Sequence, residues 1–281
     1  WPYLLVWTII NILQASFTEL FHDEAHYWMF SQHLQWGYWD HPPAAPFLIF
    51  LGSSILPGEL GVRLLIVLAS TTTVFFLYRL VRPKNLPLFF SLVFSVLLIH
   101  IGGFMAAPDI ALVFFASAFL LALRSYMEED SWQGALLLAF LTACLAYSKY
   151  HGAIFLLFLF LPNWRLIKRP TFWAIPIVAL IFFLPHLLWQ YNMDFPTFRY
   201  HLIDRGAEPH EWRFVGDYIG GQFLVFGPLM AFVILIAAFR RKPDDLFEKS
   251  LKWCFVGILV FFFYRSFQER TEANWTATAL F

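Results

Sequence analysis

Acidic and histidine side chains are concentrated in one early segment of the chain, residues 22–41. Asp23 and Glu24 stand side by side near its start, and Asp40-His41 stands at its end. Carboxylates and imidazoles can act as general bases on a hydroxyl or bind a divalent cation. Because so much charge beside an apolar run is costly near a bilayer unless it faces water or performs a function, we predict a candidate active site here.

Each carboxylate of this segment has a second interpretation. Asp23 and Glu24 are adjacent, so on a helix they point about 100° apart and only one faces a given pocket. Both could instead form a solvated helix start, where acids complement the helix dipole. Asp40 is followed by Pro42-Pro43, which fix the backbone, and it could instead cap the next helix.

The order His22-Asp23-Glu24-Ala25-His26 invites comparison with a zinc protease, whose motif is His-Glu-x-x-His. Here an aspartate occupies the place of the general base, although His22 and His26 could share one helical face. The residues predict no definite metal site. If the reaction depends on a divalent cation, Asp23, His26 and Asp40 are its expected ligands.

Two charged residues further along sit beside apolar runs. Asp109 follows Pro108 at a helix entrance, where it could face a pocket or cap the helix. Lys149 separates two short apolar segments and should seek an anion, either a carboxylate or a phosphate, unless it snorkels to the surface.

The composition predicts an all-α polytopic membrane protein that interacts with the lipid bilayer. Of 281 residues, 60% are hydrophobic and 14% are charged, against about 25% charged in a soluble domain. A net charge of +0 argues against a nucleic-acid partner. We expect one transmembrane catalytic domain over residues 1–281, trimmed at its N-terminus and truncated at its C-terminus, with an interfacial active-site loop over residues 18–57.

Apolar runs long enough to cross a bilayer need about 20 residues. Residues 18–43 read as a polar loop with an interfacial helix over 23–35, and residues 44–56 as a second interfacial or re-entrant helix, too short to span. The predicted membrane segments are residues 1–17, 61–81, 86–105, 109–126, 132–147, 151–162, 172–189, 216–239 and 251–264.

Three basic clusters fall on one side of this arrangement, and the positive-inside bias makes that side cytoplasmic. They are Arg79/Arg82/Lys84, Arg165/Lys168/Arg169 and Arg240/Arg241/Lys242. Counting crossings places Asp109, Lys149, the loop over 190–212 and residues 269–272 on the opposite side, together with the early acidic loop. The sequence thus predicts one site on the non-cytoplasmic face.

At these positions the chain resembles the polyprenyl-phosphate-dependent glycosyltransferases of the GT-C fold, in the branch related to protein O-mannosyltransferases and lipid A aminoarabinose transferase. The resemblance covers nearly the whole chain and is carried by Asp23-Glu24-Ala25-His26-Tyr27-Trp28, Trp36-Gly37-Tyr38-Trp39-Asp40-His41-Pro42-Pro43, Glu59-Leu60-Gly61-Val62-Arg63-Leu64, Pro108-Asp109, Ser148-Lys149-Tyr150 and Glu272-Ala273-Asn274-Trp275. Asp40-His41 is a departure, since it stands where the aminoarabinose branch tends to carry Glu-Lys.

The resemblance implies an inverting transfer of a sugar from a polyprenyl-phosphate carrier to a lipid, glycan or protein acceptor. The expected setting is a bacterial inner membrane, with the active site facing the periplasm or cell exterior. By analogy the catalytic residues are Asp23 as general base, Glu24 and Asp40. The expected substrate-binding residues are His41, Asp109, Lys149, Tyr150, Arg199, Arg205 and Arg270.

Other classes of protein remain open at this stage. A transporter or flippase of a lipid-linked sugar would share the apolar bulk, but it should show internal repeats and charges in mid-helix. No repeat is visible, and the charges gather toward one side. A purely structural subunit would explain the apolar bulk but not that gathering.

Overall fold

The computed structural model describes residues 1–201 and 211–281, and every regular element in that part of the chain is helical. The predicted all-α class is confirmed. The α-helices are α1 (Pro2–Phe17), α2 (His22–Ser31), α3 (Ala44–Ile55), α4 (Gly58–Val81), α5 (Leu86–Phe94), α6 (Leu97–Ile101), α7 (Pro108–Glu128), α8 (Trp132–Ser148), α9 (His151–Phe160), α10 (Ala174–Asn192), α11 (Pro196–Arg199), α12 (Trp212–Phe226), α13 (Pro228–Arg240) and α14 (Leu246–Ser266). Segments of 3₁₀-helix cover Leu161–Lys168, Pro170–Trp173 and Ala273–Leu280.

Local sequence explains where several of these helices begin. Proline opens α1 and α7, where its missing N–H and fixed φ are harmless. The Ser131 hydroxyl caps α8 by accepting from the Gly134 amide, and the Asp245 carboxylate caps α14 by accepting from the Glu248 amide. Side-chain capping therefore sets the starts of two helices at one end of the bundle.

Two segments that the sequence predicts as continuous spans are broken. Residues 86–105 form two short helices, α5 and α6, instead of one crossing. Residues 216–239 belong to α12 and α13, which meet at an angle of 95°. The cause of the second break is local, because Gly227 has φ +85° and Pro228 cannot continue a helix from the preceding turn.

The described helices include three that are long and apolar enough to cross a membrane, and up to five if each sharply bent pair forms one span. The three are α4, α7 and the segment over Pro170–Asn192. Large apolar side chains such as Ile177, Leu180 and Ile181 are exposed on α10. Such a surface suits contact with lipid, and the protein is an integral membrane protein.

The centre of the bundle is built on α7. It packs against α4 on one side and α8 on the other, and α8 in turn packs along α10. Phe119, Leu120 and Leu123 on α7 interlock with Leu138 and Leu145 on α8, all fully buried. This core holds the two ends of α7 and α8 in fixed relation, which matters because charged residues lie at both ends.

One end of the bundle, which we call the basic end, collects the three predicted basic clusters. Arg124 donates to the Leu80 carbonyl, so the C-terminal ends of α4 and α7 meet there. Arg169 donates to the carbonyls of Tyr126 and Met127, and Arg241 pairs with Glu248 at the start of α14. The opposite end, which we call the site end, contains the start of α7, the end of α8 and the end of α14.

Candidate active site

The early acidic segment is anchored to the bundle by a buried ion pair between Glu24 and Arg63. Arg63 Nε lies 2.7 Å from Glu24 Oε1 and Arg63 Nη2 lies 2.5 Å from Glu24 Oε2. The same guanidinium donates to the carbonyls of Ala15, Thr18 and Glu19, where α1 ends. One side chain of α4 therefore fixes the end of α1 and the start of α2.

Glu24 is fully occupied by this arrangement. Its oxygens also accept from the amides of Ala106 and Phe21, at 2.8 and 3.0 Å. Burial alone would raise the pKa of Glu24, but the hydrogen bonds from Arg63 and the two amides, with the charge of Arg63, lower it below its ordinary value. A carboxylate held by so many donors is a poor proton acceptor, which favours a positioning role over the catalytic one expected from the sequence.

Asp40 lies in the loop between α2 and α3 and is 7% exposed. Its Oδ2 atom is 3.0 Å from His41 Nδ1 and 3.3 Å from His26 Nε2. Burial would raise the pKa of Asp40, yet the hydrogen bond from His41 and the charges of His41 and His26 lower it overall. The capping alternative is wrong, since α3 begins after Pro43 without a side-chain cap.

The second Asp40 oxygen, Oδ1, is buried and has no hydrogen-bond partner among the described residues. Buried carboxylate oxygens are normally paired, so an unused acceptor beside a cavity is a place where a ligand hydroxyl or N–H would be stabilised.

Lys149 and Asp109 form a second buried ion pair at the site end. Lys149 Nζ lies 2.8 Å from Asp109 Oδ1, and the residues are 5% and 4% exposed. Asn274 Nδ2 donates to Asp109 Oδ2 at 2.8 Å. Lys149 therefore pairs with a carboxylate and does not snorkel to the surface. Asp109 is not a helix cap, because α7 has no side-chain cap.

A cavity of about 520 Å³ opens at the site end, and it brings several of the predicted residues together. Its polar wall comes from the loop before α3, the α8–α9 junction and the end of α14, while apolar side chains such as Ile154 and Phe261 complete it. The polar and aromatic lining residues include Asp40, His41, Lys149, Tyr150, His151, His201, Arg265, Gln268, Glu269 and Trp275.

Asp23 is exposed on the first turn of α2 and does not line this cavity; its Oδ1 is 3.1 Å from His22 Nε2. The pKa of buried Tyr27 is raised by burial and then by the charges of Asp40, Asp109 and Asp23. All three carboxylates therefore disfavour ionisation of the Tyr27 hydroxyl.

The predicted arginines are placed less centrally. Arg199 pairs with Asp194 at 2.8 Å and Arg270 is 3.7 Å from Glu272, and both are largely exposed outside the cavity wall. Arg205 lies outside the described residues. A cation that does line the cavity is Arg265, which donates to Glu269 at 2.6 Å and to Gln268 at 2.8 Å.

The side chains do not fit the metal set expected for a cation-dependent reaction. His26 and Asp40 are adjacent, but Asp23 turns toward His22 on the exposed side of α2. Within residues 1–201 and 211–281, no three His, Cys, Asp or Glu side chains converge as metal ligands would. The zinc-protease comparison gains no support in the same part of the chain, since His22 lies against Asp23 and His26 against Asp40.

A buried polar network beside the cavity was not predicted from the sequence. His186 and Gln190 on α10, with Thr197 on α11, are completely buried and bonded to Tyr150 and to the loop before α3. The signal was present, because two polar residues four apart in an apolar helix share one face and need partners within a membrane.

Comparison with known proteins agrees with this architecture. The profile of the dolichyl-phosphate-mannose-protein mannosyltransferase family matches residues 40–189. Two curated proteins of Rhizobium johnstonii (strain DSM 114642 / LMG 32736 / 3841) are similar along most of the chain. Lipid A galacturonosyltransferase RgtD is 27% identical over 98% of this chain and 61% of its own length. Lipopolysaccharide core galacturonosyltransferase RgtA is 27% identical over 92% of this chain and 52% of its own.

Solved structures show the same fold. The crystal structure of ArnT from Cupriavidus metallidurans bound to undecaprenyl phosphate superposes with a TM-score of 0.78 at 15% identity, over 99% of this chain and 57% of that one. The apo ArnT structure gives 0.76 over the same shares. The chain spans just over half to three-fifths of the length of these relatives. Its bundle is a GT-C fold, and because the family profile matches more than half of its residues, the chain belongs to the dolichyl-phosphate-mannose-protein mannosyltransferase family, a family of glycosyltransferases.

Proposed function

We propose that the protein moves a sugar from a polyprenyl-phosphate carrier to a hydroxyl on a lipid, glycan or protein acceptor, with inversion at the anomeric carbon. The observation that carries this proposal is the cavity at the site end, which is lined by Asp40, His41, Lys149 and Arg265. One carboxylate oxygen of Asp40 has no hydrogen-bond partner within residues 1–201 and 211–281. Family membership and the similarity to the two galacturonosyltransferases support the reaction class.

In the proposed reaction the acceptor oxygen attacks the anomeric carbon while the bond from that carbon to the phosphate oxygen breaks. The bonding electrons leave with the phosphate, which is already a stable anion and needs neutralising charge rather than a proton. The acceptor proton goes to a carboxylate acting as general base. Atoms and charge then balance without any redox partner.

The leaving phosphate has cations available in the cavity. Lys149 carries three N–H donors, of which one serves Asp109, and Arg265 carries five, of which two serve Gln268 and Glu269. Both ion pairs thus hold their cations in place and leave donors for a phosphate. His41 stands across the same cavity and could add a further donor.

Asp23 is proposed as the general base. Its carboxylate is exposed on the first turn of α2, where a polar acceptor arriving from water can reach it. The resemblance to the glycosyltransferase family also supports this role. The pKa of Asp40 is lowered by His41 and His26, which makes it a weaker proton acceptor. Asp40 is better suited to hold a sugar hydroxyl through its Oδ1 atom, for which the described part of the chain supplies no donor.

We propose that the polyprenyl chain of the donor occupies a second, apolar cavity beside the loop before α3. It measures about 530 Å³ and is lined by aromatic and aliphatic side chains of α3, α7 and α8, with Trp36 and Tyr147 at its edge. A polyprenyl chain needs such a surface within the bilayer. The site end lies opposite the basic end, and by the positive-inside rule this supports the proposal of a reaction outside the cytoplasm.

The experiment supplies purified protein in lipid vesicles with polyprenyl-phosphate carriers bearing radiolabelled sugars, including a uronic acid, an amino sugar and a neutral hexose. Covalent transfer of label to an added lipid A or core acceptor is the expected result, and NMR of the product should show the inverted anomer. Movement of label across the bilayer without a new covalent bond would instead support a flippase.

Three variants assign the roles within that assay. Asp23→Asn should lower kcat by about 10²–10⁴-fold, the usual contribution of a general base. Asp40→Asn should act mainly on KM for the donor, and exposed Glu128→Gln serves as the control. If Asp40→Asn abolishes kcat while Asp23→Asn is active, the two roles must be exchanged.

A further inference from the structure

Three polar side chains lie fully buried beside the cavity without forming its wall. His186 and Gln190 belong to α10, and Thr197 opens α11; each is 0% exposed. Burying polar groups in a membrane bundle is costly unless all their donors are used, and such networks hold their neighbours in one arrangement. Their partners therefore indicate what this network is for.

The donors of the network fit one arrangement, in which Gln190 Oε1 is left without a partner among the described residues. His186 Nδ1 is 2.6 Å from the Trp36 carbonyl, which can only accept, so Nδ1 carries the proton and Nε2 is the acceptor. Tyr150 donates its hydroxyl to that Nε2 at 2.8 Å. Gln190 Nε2 then donates to the Tyr150 oxygen at 2.9 Å and to Thr197 Oγ1 at 2.5 Å. Thr197 donates in turn to the Tyr38 carbonyl at 2.7 Å.

The network ends on two backbone carbonyls of the loop before α3. His186 bonds to the Trp36 carbonyl and Thr197 to the Tyr38 carbonyl, two residues later. The residue between them is Gly37, and a Cβ atom there would come within 2.6 Å of the Trp189 ring and 2.9 Å of the His186 ring. The loop backbone therefore lies directly on α10. Because the Tyr38 amide donates to the His41 carbonyl at 3.0 Å, the position of Tyr38 also fixes the turn that carries Asp40.

We propose that His186 and Thr197 are positioning residues, which fix the Asp40 turn and the Tyr150 hydroxyl of the cavity wall through this buried network. They touch no substrate themselves. The effect on turnover rests on the function proposed above, whereas the effect on the loop does not. Small errors in placement matter, since a shift of ~1 Å at reacting groups can cost on the order of 10²-fold in rate.

The test uses full-length protein in lipid vesicles and three threonine variants. Thr197→Val keeps the shape and removes the hydroxyl, Thr197→Ser restores it, and Thr73→Val is the matched control. Thr73 is also buried, on α4, and donates to the Ala69 carbonyl of its own helix. His186→Phe removes the hydrogen bonds to the Trp36 carbonyl and the Tyr150 hydroxyl.

Two measurements are made on each variant. Hydrogen exchange by mass spectrometry follows peptides covering residues 35–41, and steady-state kinetics separate kcat from KM. In Thr197→Val and His186→Phe we expect about five- to tenfold faster exchange there, the loss of roughly one hydrogen bond. We expect kcat to fall by about tenfold or more with KM within about twofold. Thr197→Ser and Thr73→Val should resemble the wild type in both.

The proposal is overturned if Thr197→Val leaves exchange over residues 35–41 unchanged, or if Thr197→Ser is as impaired as Thr197→Val. It is also overturned if Thr73→Val loosens the same peptides, because the effect would then be general destabilisation. If the wild type transfers no sugar from any carrier, the proposed function fails, and the exchange data alone still decide whether the network positions the loop.

Discussion

The ammonium of Lys149 and the carboxylate of Asp109 lie 2.8 Å apart, buried where the start of α7 meets the end of α8. The pair places the Lys149 ammonium on the cavity wall and compensates its charge with the Asp109 carboxylate. The cavity therefore offers N–H donors to an anion without an uncompensated buried charge. Breaking one partner of such a pair leaves the other charge buried and uncompensated.

Lys149→Met should therefore lower the free energy of unfolding by about 3–5 kcal/mol, and Asp109→Leu should do much the same. The double variant should be less destabilised than the sum of the two, because no unpaired charge remains. Reversible unfolding in mixed micelles gives the free energy of unfolding of the wild type, the two single variants and the double variant. Additive single effects would contradict a direct interaction.

Replacing Glu24 by glutamine should destabilise the protein without a direct effect on chemistry. The change keeps the shape and removes the charge that Arg63 requires, so we expect a loss of about 3–5 kcal/mol. At low temperature, where the variant stays folded, kcat per folded molecule should be close to that of the wild type.

The matched control for this prediction is Glu128→Gln. Glu128 is exposed and 3.8 Å from Arg124, a surface pair that contributes about 0–1 kcal/mol. A folded but inactive Glu24→Gln protein would restore Glu24 to the catalytic residues.

Stability should fall as the medium becomes acidic. Glu24 and Asp40 have lowered pKa values in the folded state, below their ordinary values of 4.5 and 3.8. The unfolded chain therefore binds protons first, and the stabilisation, which is complete above those ordinary values, is lost as pH falls through the folded pKa values.

Thermal unfolding recorded between pH 7 and pH 3 should show this loss at the acidic end. The slope should be shallower in Asp40→Asn, which removes one of the two groups. An acid slope identical to that of the wild type would mean that Asp40 is not stabilised by His41 and His26.

Gly37→Ala should destabilise the loop before α3. The added methyl group meets the Trp189 ring at 2.6 Å, and overpacking of this kind costs about 1–3 kcal/mol. Trp189→Leu opens space on α10, so the double variant should recover part of the loss. A Gly37→Ala protein as stable as the wild type would show that the loop does not rest on α10.

Much of the fold follows from hydropathy and charge alone. The helices α4, α7 and α8 and the short helices α2 and α3 were predicted within a few residues of their ends. The basic clusters also fell at one end, as expected. These features depend on local sequence, because a run of apolar residues must be helical in a membrane wherever it lies.

The breaks and the partners could not be predicted in the same way. Hydropathy carries no information on backbone angles, so residues 216–239 were predicted as one span although the chain bends at Gly227. Glu24 looked catalytic because its partner, Arg63, stands 39 residues later and nothing local links them. The buried network of His186, Gln190 and Thr197 was not predicted, because its members and partners come from three distant parts of the chain. Its final hydrogen bonds also go to main-chain carbonyls, which no residue type reveals.

The dependence of the site on distant partners has a consequence for biogenesis. As the ribosome delivers the chain, Glu24 emerges with no cation to receive it until α4 follows, and Asp109 waits for Lys149 and finally for Asn274, 165 residues after it. The two buried carboxylates therefore gain their cations only after α4 and α8 have been synthesised, and the second oxygen of Asp109 gains its donor only after residue 274.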